Sequence, residues 1–125
     1  MRYFVITLLL TCTGGAYAGV LEDYLVSLET GAVELPFSKE RGQTVWYREV
    51  DGRQCTSCHL DSVYAEGRHQ KTGKVIEPMA PSVNPERLTD LKKMKKWFLR
   101  NCKWTFKREC TDQEKGDVLV WLKDL

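Results

Sequence analysis

Cys55-Thr56-Ser57-Cys58-His59 decides how the rest of this 125-residue chain is read. Two thiols separated by two residues, followed at once by an imidazole, form the attachment sequence of a c-type haem. Each thiol adds to one vinyl group of the porphyrin, so the spacing must match the distance between the vinyls. The adjacent imidazole then binds the iron from the proximal side. A bare CxxC is shared with zinc sites and thiol redox motifs. The trailing His59 separates them, because zinc would need further ligands and the sequence holds only one other histidine, His69. The motif predicts one covalently attached haem c, tethered by Cys55 and Cys58, with His59 on the iron.

The amino-terminal residues carry the same implication independently. Arg2 opens a short positive region, Phe4 to Leu10 is an apolar run, and Ala16-Tyr17-Ala18 is a small-x-small cleavage site. This pattern predicts a secretory signal peptide over residues 1–18 and a single mature domain over 19–125. The apolar run is too short to span a bilayer. A lipobox reading of Leu9-Leu10-Thr11-Cys12 is weaker, since Thr is a poor residue directly before an acylated cysteine. Haem c is attached outside the cytoplasmic membrane in bacteria, so export and the motif require each other, and a periplasmic protein is expected. In that oxidising compartment the remaining thiols, Cys102 and Cys110, pair by default rather than persist as buried free thiols. Such a bridge would contribute roughly 2.5 kcal/mol by the chain-entropy relation.

The charge balance, 19 basic against 17 acidic residues, gives no reason to expect a nucleic-acid binder. No second apolar stretch is long enough for a membrane span, and neither repeats nor low-complexity segments occur. Leu21, Tyr24, Leu25 and Leu28 recur at helical spacing, with Gly31 placed to end that helix. Ser38 can cap a second helix running to Trp46 or Tyr47, with Gly42 and Trp46 on one face. Thr111-Asp112-Gln113-Glu114 is a capping box before a terminal helix presenting Val118, Leu119, Trp121, Leu122 and Leu125. Between the motif and Asn84, punctuation by Gly67, Gly73, Pro78 and Pro81 predicts an irregular stretch without strands, packed on a haem edge. The expected fold is mostly α, a small class I-like cytochrome c arrangement whose first and last helices cross at a glycine.

Asp90 caps a further helix, Leu91 to about Cys102, whose apolar stripe reads Leu91, Met94, Trp97 and Phe98 and then meets Asn101. The other face carries Lys92, Lys93, Lys95, Lys96 and Arg100, which fits a docking role or a plain solvated surface. A primary amide on a buried stripe needs a partner, either a backbone carbonyl or the haem iron with whatever binds it. Met79, in Pro78-Met79-Ala80-Pro81, is the sixth ligand that chemistry alone favours over Asn101, and a His/Met site gives a closed electron carrier. His69 sits among charged residues and reads as exposed, and Met94 reads as core packing. Arg87, Arg100, Trp104 and Arg108 are candidate contacts for the haem propionates.

Arg100-Asn101-Cys102, Arg108-Glu109-Cys110-Thr111 and Glu114-Lys115 resemble the sphaeroides haem protein family of small c-type cytochromes. The segments Thr72 to Ser82 and Pro85 to Asp90 are also similar, and the likeness runs from about Gln54 to Leu122. Asp51-Gly52-Arg53 departs from it, standing where a longer glycine-containing loop is expected. The resemblance implies that Asn101 supplies the sixth, distal iron ligand and that Cys102 is bridged to Cys110. It moves Met79 to haem-edge packing, since some relatives carry leucine there. It further implies redox-gated binding of O2, NO or CO, with electron exchange with a dihaem cytochrome c and a membrane b-type cytochrome. A weak oxygen- or nitric oxide-converting activity is compatible with it.

Overall fold

The computed structural model describes residues 19–34 and 36–125, so the expected signal peptide lies outside the described residues. Five helices and one short ribbon follow in order: α1 Val20–Glu29, α2 Lys39–Tyr47, α3 Thr56–His59, β1 Gly67–Arg68, β2 Val75–Ile76, α4 Leu91–Phe106 and α5 Asp112–Leu122.

Helix starts follow the expected chemistry. The Ser38 hydroxyl accepts from the Arg41 amide, the Asp90 carboxylate accepts from the Lys93 amide at 2.9 Å, and Thr111 and Glu114 complete a reciprocal capping box. Helix α4 runs one turn beyond the expected end and stops at Lys107, which takes the left-handed conformation with φ 59°.

The chain closes on itself through α5, which is buried on almost every side at Gly116, Asp117, Val118, Leu119, Trp121 and Leu122. Its main partner is α2 rather than the first helix, a correction to the expected first-and-last crossing; α1 packs beside it. The reason is Gly42. A Cβ there would strike the Asp117 carbonyl and stand 2.9 Å from the Trp121 Cβ, so only glycine lets the two backbones approach this closely. The same crossing holds an ion pair whose carboxylate is buried and whose guanidinium reaches the surface. Asp117, 1 % exposed, accepts from Arg41 Nε at 2.8 Å, from a second Arg41 nitrogen at 2.9 Å and from the Ser38 amide at 2.7 Å. A buried carboxylate is tolerable only with its oxygens satisfied in this way.

Two apolar clusters result. Leu21, Tyr24, Leu25, Leu28, Met94 and Leu119 join α1 to α4 and α5. Val45, Trp46, Val63, Ala80, Cys102, Phe106, Val118, Trp121 and Leu122 join α2, α4 and α5, with Cys55, Met79 and Phe98 packed at their margin.

The stretch after the motif is more ordered than expected. A two-stranded antiparallel ribbon pairs Gly67 with Ile76 and Arg68 with Val75, and its turn relies on Gly73 at φ 69°. His69 is exposed, and its Nδ1 accepts from the Lys71 and Thr72 amides across that turn.

Candidate functional site

The motif occupies one tight turn. The Cys55 carbonyl accepts from the Cys58 amide at 3.2 Å and the His59 amide at 3.1 Å, and Ser57 Oγ accepts from the Gln54 amide at 3.1 Å. Cys55 and Cys58 stand three residues apart on this turn, so both thiols project from one side of it. The preceding segment is a two-residue hairpin in which Asp51 and Gly52 take positive φ values of 51° and 73° and Val50 bridges Arg53. The short Asp51-Gly52-Arg53 segment therefore turns the chain as tightly as a backbone can, in place of a longer loop.

The ribbon lies directly on the turn. A Cβ on Gly67 would strike the Cys58 carbonyl and stand 2.9 Å from the His59 Cα, so glycine permits the contact. On the other side the His59 ring meets Trp46, centroids 5.0 Å apart, and Trp46 meets Trp121 at 5.5 Å. Burial, with the Arg87 guanidinium nearby adding to it, holds the His59 imidazole down to about 4. A ring that stays neutral across the physiological range keeps a lone pair free for a metal.

Burial also pushes the Cys55 thiol up to about 12. This separates the site from thiol redox motifs, which work through a stabilised thiolate. Among the described residues no cluster of three or more His, Cys, Asp or Glu side chains could hold a metal ion on its own. The residues do fit a haem. Two half-buried free thiols, a neutral imidazole and a buried Trp46 indole nitrogen without a protein partner lie together, beside an apolar margin.

The remaining predicted site residues separate into two groups. Met79 is half-buried at the same apolar margin as Cys55, in a segment pinned by its amide donating to the Val63 carbonyl at 2.8 Å. Arg87 Nε donates to the Pro78 carbonyl at 2.8 Å and so anchors that segment.

The residues that the protein itself covers on α4 are Met94, Cys102, Thr105 and Phe106, with Phe98 half-buried, while Leu91, Trp97 and Asn101 form an adjoining side that the protein leaves uncovered. No protein group bonds the Asn101 amide among the described residues.

Sequence reasoning missed the contact that orients this flank. The Arg53 guanidinium stacks on the Trp104 ring at 4.8 Å and donates to the Trp104 carbonyl at 3.1 Å. Trp104 follows Asn101 by three residues and shares its side of the helix. The segment entering Cys55 is thereby fastened to the Asn101 flank.

Cys102 and Cys110 are paired, with Cα atoms 5.5 Å apart, the separation such a bridge takes. Both terminal nitrogens of Arg108, another candidate propionate contact, donate to Glu114 at 2.8 Å.

A mostly helical domain closed by a glycine crossing around a CxxCH turn defines a monohaem c-type cytochrome. A family model described as a domain of unknown function, DUF1924, matches residues 32–122. Cytochrome c-type protein SHP of Cereibacter sphaeroides is 35 % identical, over 97 % of this chain and 96 % of its own. Cytochrome c'' of Methylophilus methylotrophus is 35 % identical over 54 % of this chain and 47 % of its own. Among solved structures, oxidised SHP, described as an oxygen-binding cytochrome c, superposes with a TM-score of 0.76 at 35 % identity, covering 84 % of this chain and 96 % of its own. Oxidised cytochrome c'' gives 0.66 at 25 % identity, covering 83 % and 89 %.

The chain belongs to the SHP family, the sphaeroides haem proteins, and its cofactor is a covalently attached haem c. No described helix is long and apolar enough to cross a membrane.

Proposed function

We propose that this protein is a periplasmic cytochrome that exchanges electrons with other cytochromes and binds a diatomic ligand, O2, NO or CO, at a position gated by Asn101. Cys55 and Cys58 tether the haem and His59 holds its proximal face. When bound, the haem supplies an iron that changes oxidation state and accepts a sixth ligand. The Asn101 amide oxygen, a hard and weak donor, would suit the oxidised centre better than the reduced one, and its N–H groups would be available to hydrogen-bond a small bound ligand, one of the levers that favour ligand binding over plain electron transfer. The disulfide at Cys102 holds the helical turn from which Asn101 projects.

The observation that supports this reading best is the Arg53–Trp104 stack, which fastens the segment leading into the haem turn to a residue three positions after Asn101 on α4. Membership of a family whose relative SHP is described as oxygen-binding points the same way.

A second reading makes Met79 the sixth ligand of a closed electron shuttle, favoured by its place at the same apolar margin as Cys55. Absorption spectra of the oxidised protein separate the two. High-spin features without a sulfur-to-iron charge-transfer band are expected, together with fast CO binding after reduction. Asn101→Ala is expected to keep its haem while changing both the ferric spin state and ligand binding. An unchanged spectrum in that variant would end the asparagine assignment.

A further inference from the structure

Charge in this chain is strongly polarised. Helix α4 carries six of the 19 Lys and Arg residues and none of the 17 Asp and Glu, so everything outside it is net acidic. Of the six, Lys103 alone pairs with a carboxylate among the described residues, Glu109 at 3.3 Å.

At the centre of this basic surface stands an apolar side chain. Leu99 is 45 % exposed, and Lys92, Lys95, Lys96 and Lys103 lie seven, four and three residues before it and four after it, around it on the helix. Leu99 stands at the outer edge of the buried line, one turn before Cys102, and on the side of the helix opposite Asn101. A shallow hollow of about 360 Å³ opens beside it, lined by Tyr24, Lys95, Leu99 and Asp112 among others. The carboxylates at its edge are neutralised, Asp112 by Lys115 at 3.0 Å and Glu109 by Lys103, so the lysines of α4 set the potential there.

We infer that the outer face of α4, centred on Leu99, docks the acidic face of a redox partner protein; this rests on the electron-exchange reading above. A small apolar centre with a charged rim is the anatomy of a protein interface. An interfacial membrane helix instead needs a broad apolar face, and that of α4 is spent on the core. Carboxylates on the partner are steered by the lysines, and Leu99 with its hollow supplies the dry contact.

The test uses the ferric holoprotein and reduced flavodoxin, an acidic electron donor, with stopped-flow detection at the Soret band. The double variant Lys92→Glu, Lys96→Glu is expected to lower the bimolecular rate about tenfold at low ionic strength, converging with the wild type at high salt. Leu99→Asp is expected to lower it at high salt as well. The control, Lys71→Glu with Lys74→Glu on the exposed ribbon, is expected to change it less than twofold. Reduction by ascorbate must stay equal in all variants; a wild-type protein that neither absorbs in the Soret region nor reduces with ascorbate indicts the haem assignment instead. Equal losses in the ribbon and α4 variants, or none in either, would overturn the docking face. So would sedimentation with phosphatidylglycerol vesicles that depends on Lys92 and Lys96 while flavodoxin rates stay unchanged.

Discussion

Glu114 joins three elements, and its removal should measure how firmly they are held. Its carboxylate takes two hydrogen bonds from Arg108 at 2.8 Å, one from Arg48 at the end of α2 at 2.6 Å and one from the Thr111 amide at 3.0 Å. These contacts, Arg108 foremost, hold the carboxyl down to about 2 against an ordinary 4.5. At about 1.4 kcal/mol per unit, that difference corresponds to about 3 kcal/mol of stability. Arg108 is 48 % exposed on its side chain, so screening reduces the expectation to about 2 kcal/mol. The folded-state value is depressed, so the contribution is fully present above about pH 5 and disappears as the pH falls through about 2. Glu114→Gln should therefore be less stable than the wild type by about 2 kcal/mol at pH 7, or roughly 10 °C in Tm. The two should draw close near pH 2, where the native carboxyl is half protonated and most of its contribution is gone. Urea unfolding of the holoprotein, followed by far-UV circular dichroism between pH 7 and 2, reads both. A Glu114→Gln protein as stable as the wild type at pH 7, or a difference that persists unchanged at pH 2, would refute the argument.

Gly42→Val should cost more than about 2 kcal/mol, because the new side chain meets the Asp117 backbone, which cannot yield without opening the α2–α5 crossing; an unshifted urea midpoint would contradict the close approach. For the bridge, thiol titration of the denatured, unreduced holoprotein should find no reactive sulfhydryl, with Cys55 and Cys58 consumed by haem and Cys102 and Cys110 by each other. One or two free thiols per chain would exclude that assignment.

The parts of this molecule that are local in sequence were legible from it. The haem turn, the Ser38, Asp90 and Thr111 caps and the apolar period of α1 and α5 all rest on residues within one or two turns of each other, and all recur in the structure. What stayed hidden depends on residues far apart along the chain. Arg41 reaches Asp117 across 76 positions, and Arg53 reaches Trp104 across 51. An aspartate within an apolar helix and an arginine before a haem motif carry no mark of their partners. Gly67 was visible only as punctuation, since a close approach to Cys58 and His59 depends on the ribbon that forms around Gly73. On α4, period alone makes Trp97 and Asn101 as good a continuation of the apolar stripe as Cys102, and the pairing of Cys102 with the distant Cys110 is what marks the side that the protein covers.

The surroundings of the two candidates bear on the choice of sixth ligand. No protein group bonds the Asn101 amide among the described residues, so no bond within the chain has to break for it to reach or leave the metal. Met79 is built differently. Its amide is fastened to the Val63 carbonyl, its preceding carbonyl to Arg87 and Asn84, and its side chain packs at the apolar margin. A thioether so placed needs no role on the iron to explain its position. Met79→Leu conserves volume and should cost less than about 1.5 kcal/mol. It should leave the ferric spectrum and the CO-binding rate of the reduced protein unchanged. A charge-transfer band present in the wild type and lost in this variant would hand the sixth position to sulfur, and the lack of a protein partner for Asn101 would then mean only that its amide faces solvent.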